Sequence, residues 1–86
     1  MRKRTKITGE MMGAAMEAVG LKYRLAENPD SPELNAELNE TVLRLLTAEL
    51  DAGKITQAEY DRAVATLRET GWRSVFTLAM GFVFRR

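Results

Sequence analysis

The reactive side chains of this sequence are carboxylates, amines and guanidinium groups; there is no cysteine and no histidine. A thiol nucleophile, an imidazole acid–base pair and the usual zinc ligand sets are thereby excluded. Any metal or acid–base chemistry falls to the carboxylates, and their spacing speaks against both. Asp51-Ala52-Gly53-Lys54-Ile55 with Glu59 echoes a calcium-binding loop, Gly53 standing for its invariant glycine and Glu59 for its closing ligand. In that frame the first three side-chain ligand positions fall on Ala48, Leu50 and Ala52, which offer no oxygen, so calcium is rejected. Asp30, Asp51 and Asp61 are spread over a loop, a helix end and a helix start, without paired-carboxylate spacing. No glycine-rich phosphate loop and no nucleophile elbow occurs. The expectation is a protein that is not an enzyme and uses no metal and no cofactor.

Cationic chemistry is concentrated at the start, in a basic arm over residues 1–6. Arg2, Lys3, Arg4 and Lys6 are candidate contacts for nucleic acid or another anionic surface. The joint near Thr56 does not support DNA reading, because Gln57, Glu59 and Asp61 beside Arg62 present mostly the wrong sign to phosphate. Across the chain the net charge of +1 hides a basic–acidic–basic order. Residues 1–24 carry six basic and two acidic groups (+4), residues 25–61 two and nine (−7), and residues 62–86 five and one (+4). Helices that pack side by side can neutralise one another in this way, or the asymmetry can face an oppositely charged partner. The basic start resembles the head of a secretory signal, but Glu10 and Glu17 interrupt what would be its apolar run. No stretch approaches the length of a membrane span. A soluble cytoplasmic protein is expected.

The elements that position these groups announce themselves through caps. Gly53 can close one helix in the left-handed conformation. Thr56 then caps the next, Glu59 completes a capping box, and Ile55 with Tyr60 form a hydrophobic staple. Thr8 caps the first helix, with Glu10 in its first turn; Ser31 followed by Pro32 opens the second, with Glu33 near its positive end. The spacing predicts helices over about 8–27, 32–52, 57–69 and 72–84, in one all-α domain spanning 7–86 after the arm. In the first helix Met12, Met16, Val19 and Tyr23 recur at helical spacing and predict its core face, widened by Met11, Ala15 and Ala18. Methionines so placed can also line an adaptable binding groove. Gly9, Gly13 and Gly20 predict close approach of a neighbouring helix near Gly13 and Ala14. The second helix has two adjacent apolar rows, one through Leu34, Leu38, Val42 and Leu45 and one through Leu43, Leu46 and Leu50, which make it the central helix. Its acidic row, Glu33, Glu37 and Glu40, reads as a solvated face, with Glu40 positioned to pair with Arg44. The third helix turns Tyr60, Ala63, Val64 and Leu67 inward.

The segment from Trp72 to Phe84 holds the only tryptophan and all three phenylalanines of the chain. It is apolar on more than one face, so it should not stand uncovered in water. Trp72, Phe76, Ala79 and Val83 share a face, whereas Leu78 and Phe82 point elsewhere; the segment is expected to pack on the first two helices. It can fill the core, form a dimer interface, or lie on a membrane surface with its aromatic anchors and arginine flanks. Trp72, Phe76, Met80 and Val83 are the candidate interface anchors.

Residues 43–67 resemble the short bacterial helical hairpin of the SHOCT family. Leu46, Leu50, Gly53, Ile55, Thr56, Glu59, Tyr60 and Leu67 stand where that family has leucines, an acidic-x-Gly-x-Ile-Thr joint, a Glu with an aromatic and a closing leucine. The resemblance implies a small oligomerisation or interaction hairpin, although here the hairpin is central and an aromatic segment follows it. Together these readings predict a small interaction protein that self-associates, most simply as a homodimer, or binds another protein. The alternatives are a nucleic-acid-associated regulator using the basic arm and a peripheral membrane protein anchored by its C-terminal segment.

Overall fold

Each of the first three helices begins at the hydroxyl the sequence offers it. In the computed structural model, which describes residues 7–84, α1 (Gly9–Glu27) follows Thr8, α2 (Pro32–Asp51) follows Ser31 and α3 (Gln57–Thr70) follows Thr56. Thr8 Oγ1 accepts from the Met11 N–H at 3.1 Å, Ser31 Oγ from Leu34 at 3.2 Å, and Thr56 Oγ1 from Glu59 at 3.1 Å. Glu59 Oε1 in turn accepts from the Thr56 N–H at 2.9 Å, closing the capping box. The fourth helix, α4 (Arg73–Val83), starts without a side-chain cap. No strand occurs among the described residues, so the protein is the small all-α bundle its periodicity predicts.

The α2–α3 joint is closed by backbone geometry. Gly53 has φ of 77°, and its N–H donates to the Leu50 carbonyl at 3.1 Å. The following N–H, of Lys54, reaches back to the Glu49 carbonyl at 2.9 Å. These two bonds satisfy carbonyls that the end of α2 leaves open. Ile55 is buried behind the turn, and Tyr60 packs half-buried against the core with its hydroxyl 3.1 Å from Thr47 Oγ1. Two charged residues, Glu49 and Lys54, are also buried here, and both are engaged within the fold.

α2 is central: α1, α3 and α4 all pack on it, whereas α1 and α3 do not touch. The short connection over residues 28–31 returns the chain antiparallel to α1. Leu38, Val42, Leu45 and Leu46 are completely buried, and burial of such side chains contributes roughly 1.5–3 kcal/mol each. α4 packs on α2 as expected and on α1, and it also closes against α3.

Three expectations are corrected. The face of α1 that packs inward is Met11, Ala14, Ala15, Ala18, Leu21 and Leu25, not the row through Met12, Met16, Val19 and Tyr23. Met16 is 66% exposed and Tyr23 73%. The inward face carries the small side chains of Ala14, Ala15 and Ala18 beside Met11, Leu21 and Leu25, and the separation of packed helices depends on the side chains at their contact. Secondly, the buried arc of α4 is Val75, Ala79, Phe82 and Val83, so Phe82 points into the core while Leu78 faces out. The arc is rotated because α4 must cover α3 as well as α2. Thirdly, Arg44 bonds Glu17 of α1 at 2.6 Å rather than pairing with Glu40 along its own helix. The antiparallel neighbour α1 offers a carboxylate within hydrogen-bonding reach of the guanidinium.

Candidate interaction surface

The rotation of α1 leaves an apolar face without a neighbour inside the chain. Met12, Met16 and Tyr23 are exposed on it, and Val19 is half-buried. Gly9, Gly13 and Gly20 interrupt the same side of the helix. A Cβ built on any of the three meets no heavy atom within 4 Å, so the close approach expected at these glycines does not occur within the chain. Ala14, expected beside them, is buried on the side of α1 that packs inward.

α4 extends this face at one end. Val19, Lys22, Tyr23 and Ala26 of α1 and Phe76 of α4 line an open, largely apolar pocket of about 310 Å³. Lys22 Nζ lies 4.7 Å from the centroid of the Phe76 ring, within cation–π range. Phe76 is held from behind by Trp72 in an edge-to-face contact, with centroids 5.8 Å apart and planes at 77°. Trp72 is anchored to α2 in turn. Its indole N–H donates to Asn35 Oδ1 at 3.0 Å, and its backbone N–H to Asn39 Oδ1 at 2.9 Å. The Arg73 guanidinium covers its ring at 4.8 Å. The pocket wall is therefore positioned by two asparagines of the central helix, which the sequence alone did not single out.

The four expected anchors divide. Trp72 (5% exposed) and Val83 (0%) belong to the core of the chain itself, so in this fold they support a surface rather than form one. Phe76 and Met80 are half-buried at the edge of the core and remain within reach of a partner. Leu78 and Phe84 are exposed beyond them. The basic residues Arg2, Lys3, Arg4 and Lys6 lie outside the described residues. Met12, Met16 and Tyr23 were visible in the sequence, but as a core stripe. The signal that separates the two faces is the run of alanines at Ala14, Ala15 and Ala18, which a hydrophobicity pattern scores too lightly.

Polar chemistry is sparse. A groove between α1 and α2 is lined by Glu10, Glu17, Arg44 and Asp51, with Glu17 and Arg44 already joined. Among the described residues no group of acidic side chains is placed to hold a metal ion, and no helix is long and apolar enough to cross a membrane. Glu33, Glu37 and Glu40 are exposed along α2. Comparison with family models, curated proteins and solved structures finds no match to this chain.

Proposed function

We propose that this protein is a small interaction module that works by binding, and that it associates with itself through the outer face of α1 and the adjoining edge of α4. The observation that carries the reading is the exposure of Met16 and Tyr23 on a helix whose other side is fully packed. A helix in a monomer needs one apolar face; this one has two. Large apolar groups left contiguous on a surface mark a contact site more often than they occur by chance. The likeness of residues 43–67 to the SHOCT hairpin supports the same reading, since that resemblance implies an oligomerisation or interaction element.

The test is the molar mass in solution by light scattering over a wide concentration range at low and high salt. The reading expects a mass that rises with concentration and survives high salt, because the contact is apolar. Met16→Asp is expected to abolish the rise without altering the helical circular dichroism, since its side chain is mostly exposed in the single chain. A wild-type protein that stays monomeric throughout overturns the reading. Salt-sensitive binding to nucleic acid that vanishes when residues 1–6 are removed replaces it with the regulator reading, and association with anionic liposomes reported by Trp72 fluorescence replaces it with the membrane reading.

A further inference from the structure

α4 begins differently from the other helices. α3 satisfies the backbone N–H at its own start: Glu59 Oε1, three residues on, accepts from Thr56 at 2.9 Å. The matching pair in α4 is Trp72 and Val75, and neither can do this, since an indole only donates and valine carries no polar side-chain atom. The Trp72 N–H is taken instead by Asn39 Oδ1 of α2, at 2.9 Å and 33 residues earlier in the chain. Asn35, one turn before Asn39, accepts from the indole N–H at 3.0 Å, and the same oxygen lies 3.5 Å from the Arg73 guanidinium. α1, α2 and α3 thus carry their caps with them, whereas α4 finds its cap only by docking on α2.

The residues of α4 do little to form a helix unaided. Ser74-Val75-Phe76-Thr77 and Gly81-Phe82-Val83 are weak helix formers, leaving only Arg73, Leu78, Ala79 and Met80 as strong ones. Its 11 residues also fall short of the roughly 12–15 that even a favourable sequence needs to persist alone in water. What holds it is the buried arc of Val75, Ala79, Phe82 and Val83, together with the asparagine contacts at its first turn. Gly71, with φ of 88°, joins it to α3, and no side chain restricts the backbone there.

We propose that α4 is a strap whose helix exists only while it is docked. It opens about Gly71 and melts as one unit while α1, α2 and α3 stay folded, and Asn39 and Asn35 are the latch that holds it closed. Opening uncovers the inward arc of α4 and the side of α2 on which it packs. The latch therefore sets how often the chain shows apolar surface that the closed fold hides. No second copy is required for this, and the outer face of α1 takes no part in it.

Native-state amide hydrogen exchange of the full chain, resolved by residue with NMR and at a protein concentration below which the rates no longer change, tests the strap. The amides from Phe76 to Val83 are expected to share one opening, with a lower free energy and a weaker denaturant dependence than the slowest amides of α1 and α2. Asn39→Ala is expected to speed exchange throughout α4 by about 2–30-fold, the factor that a lost helix cap represents at tenfold per ~1.4 kcal/mol. Asn39→Asp keeps an acceptor at the positive end of α4 and is expected to bring exchange back to the wild-type rate or below. Thr8→Ala and Thr56→Ala remove the hydroxyls that cap α1 and α3. Both are expected to speed the slowest amides of the chain and to leave α4 unchanged, because its closed and open states lose the same bond. If Thr56→Ala speeds α4, then α3 leaves with it and the strap as drawn is overturned. If Thr8→Ala speeds it, α4 opens only with the whole chain and there is no strap. Exchange in α4 that Asn39→Ala leaves at the wild-type rate removes the latch and overturns the proposal as well.

Discussion

Replacing Gly13 and Gly20 together by alanine should make the single chain more stable while making its self-association weaker. Both residues lie inside α1, where glycine costs about 1 kcal/mol relative to alanine through the backbone freedom it loses. Neither added Cβ meets a heavy atom within 4 Å, so no steric penalty offsets the gain. The sites are seven residues, about 10 Å, apart along the helix, and their effects should add. The expected gain is therefore about 2 kcal/mol, which for a domain of this size raises Tm by roughly 8–16 °C. Thermal unfolding followed by circular dichroism, repeated at falling protein concentration until Tm no longer changes, measures this gain. Light scattering at high concentration measures the second half of the prediction, a weaker dimer, because the new methyl groups hold the second copy away. A Tm that falls or stays put would refute the reasoning about α1 as an open helix face. A higher Tm with undiminished association would leave the fold argument intact and remove the glycines from the contact.

Three further outcomes follow from the geometry. Gly71 has φ of 88° with ψ of −179°, a region essentially reserved for glycine. Gly71→Ala should thus cost about 1–3 kcal/mol in urea unfolding, and more than Gly53→Ala, whose ordinary left-handed conformation costs about 1–2 kcal/mol. Asn35→Ala strands the Trp72 indole N–H in a buried position; a loss of about 1–3 kcal/mol and altered Trp72 fluorescence are expected, and an unchanged emission spectrum with unchanged stability would exclude the bond. Glu17→Gln removes an ion pair whose side chains are 59% and 48% exposed, so stability should fall by less than about 1 kcal/mol, with the small difference erased by salt.

The legible part of this protein was its punctuation. Thr8, Ser31 and Thr56 hold their caps because a hydroxyl three residues ahead of an orphan N–H is a local arrangement needing no tertiary partner. Gly53 takes its left-handed turn for the same reason, and the two apolar rows of α2 could be satisfied only at the centre of a bundle. The role of Trp72 depends on distant residues. Its aromatic character suggested a contact anchor, and only the meeting of α4 with Asn35 and Asn39, more than thirty residues earlier in the chain, makes it a core support.

Residue types and spacing are enough to give four helices, the starting points of three of them and the middle place of α2. Which way α1 turns about its own axis depends on its packing against the other helices. Its sequence carries two apolar faces, one of Met11, three alanines and two leucines and one of Met12, Met16, Val19 and Tyr23, and either satisfies a helical period. Packing against α2 takes the face with Ala14, Ala15 and Ala18, and the leucines Leu34, Leu38, Leu45 and Leu46 of α2 are buried with it. The larger face is left outside, and with it the surface through which this chain is proposed to meet its second copy.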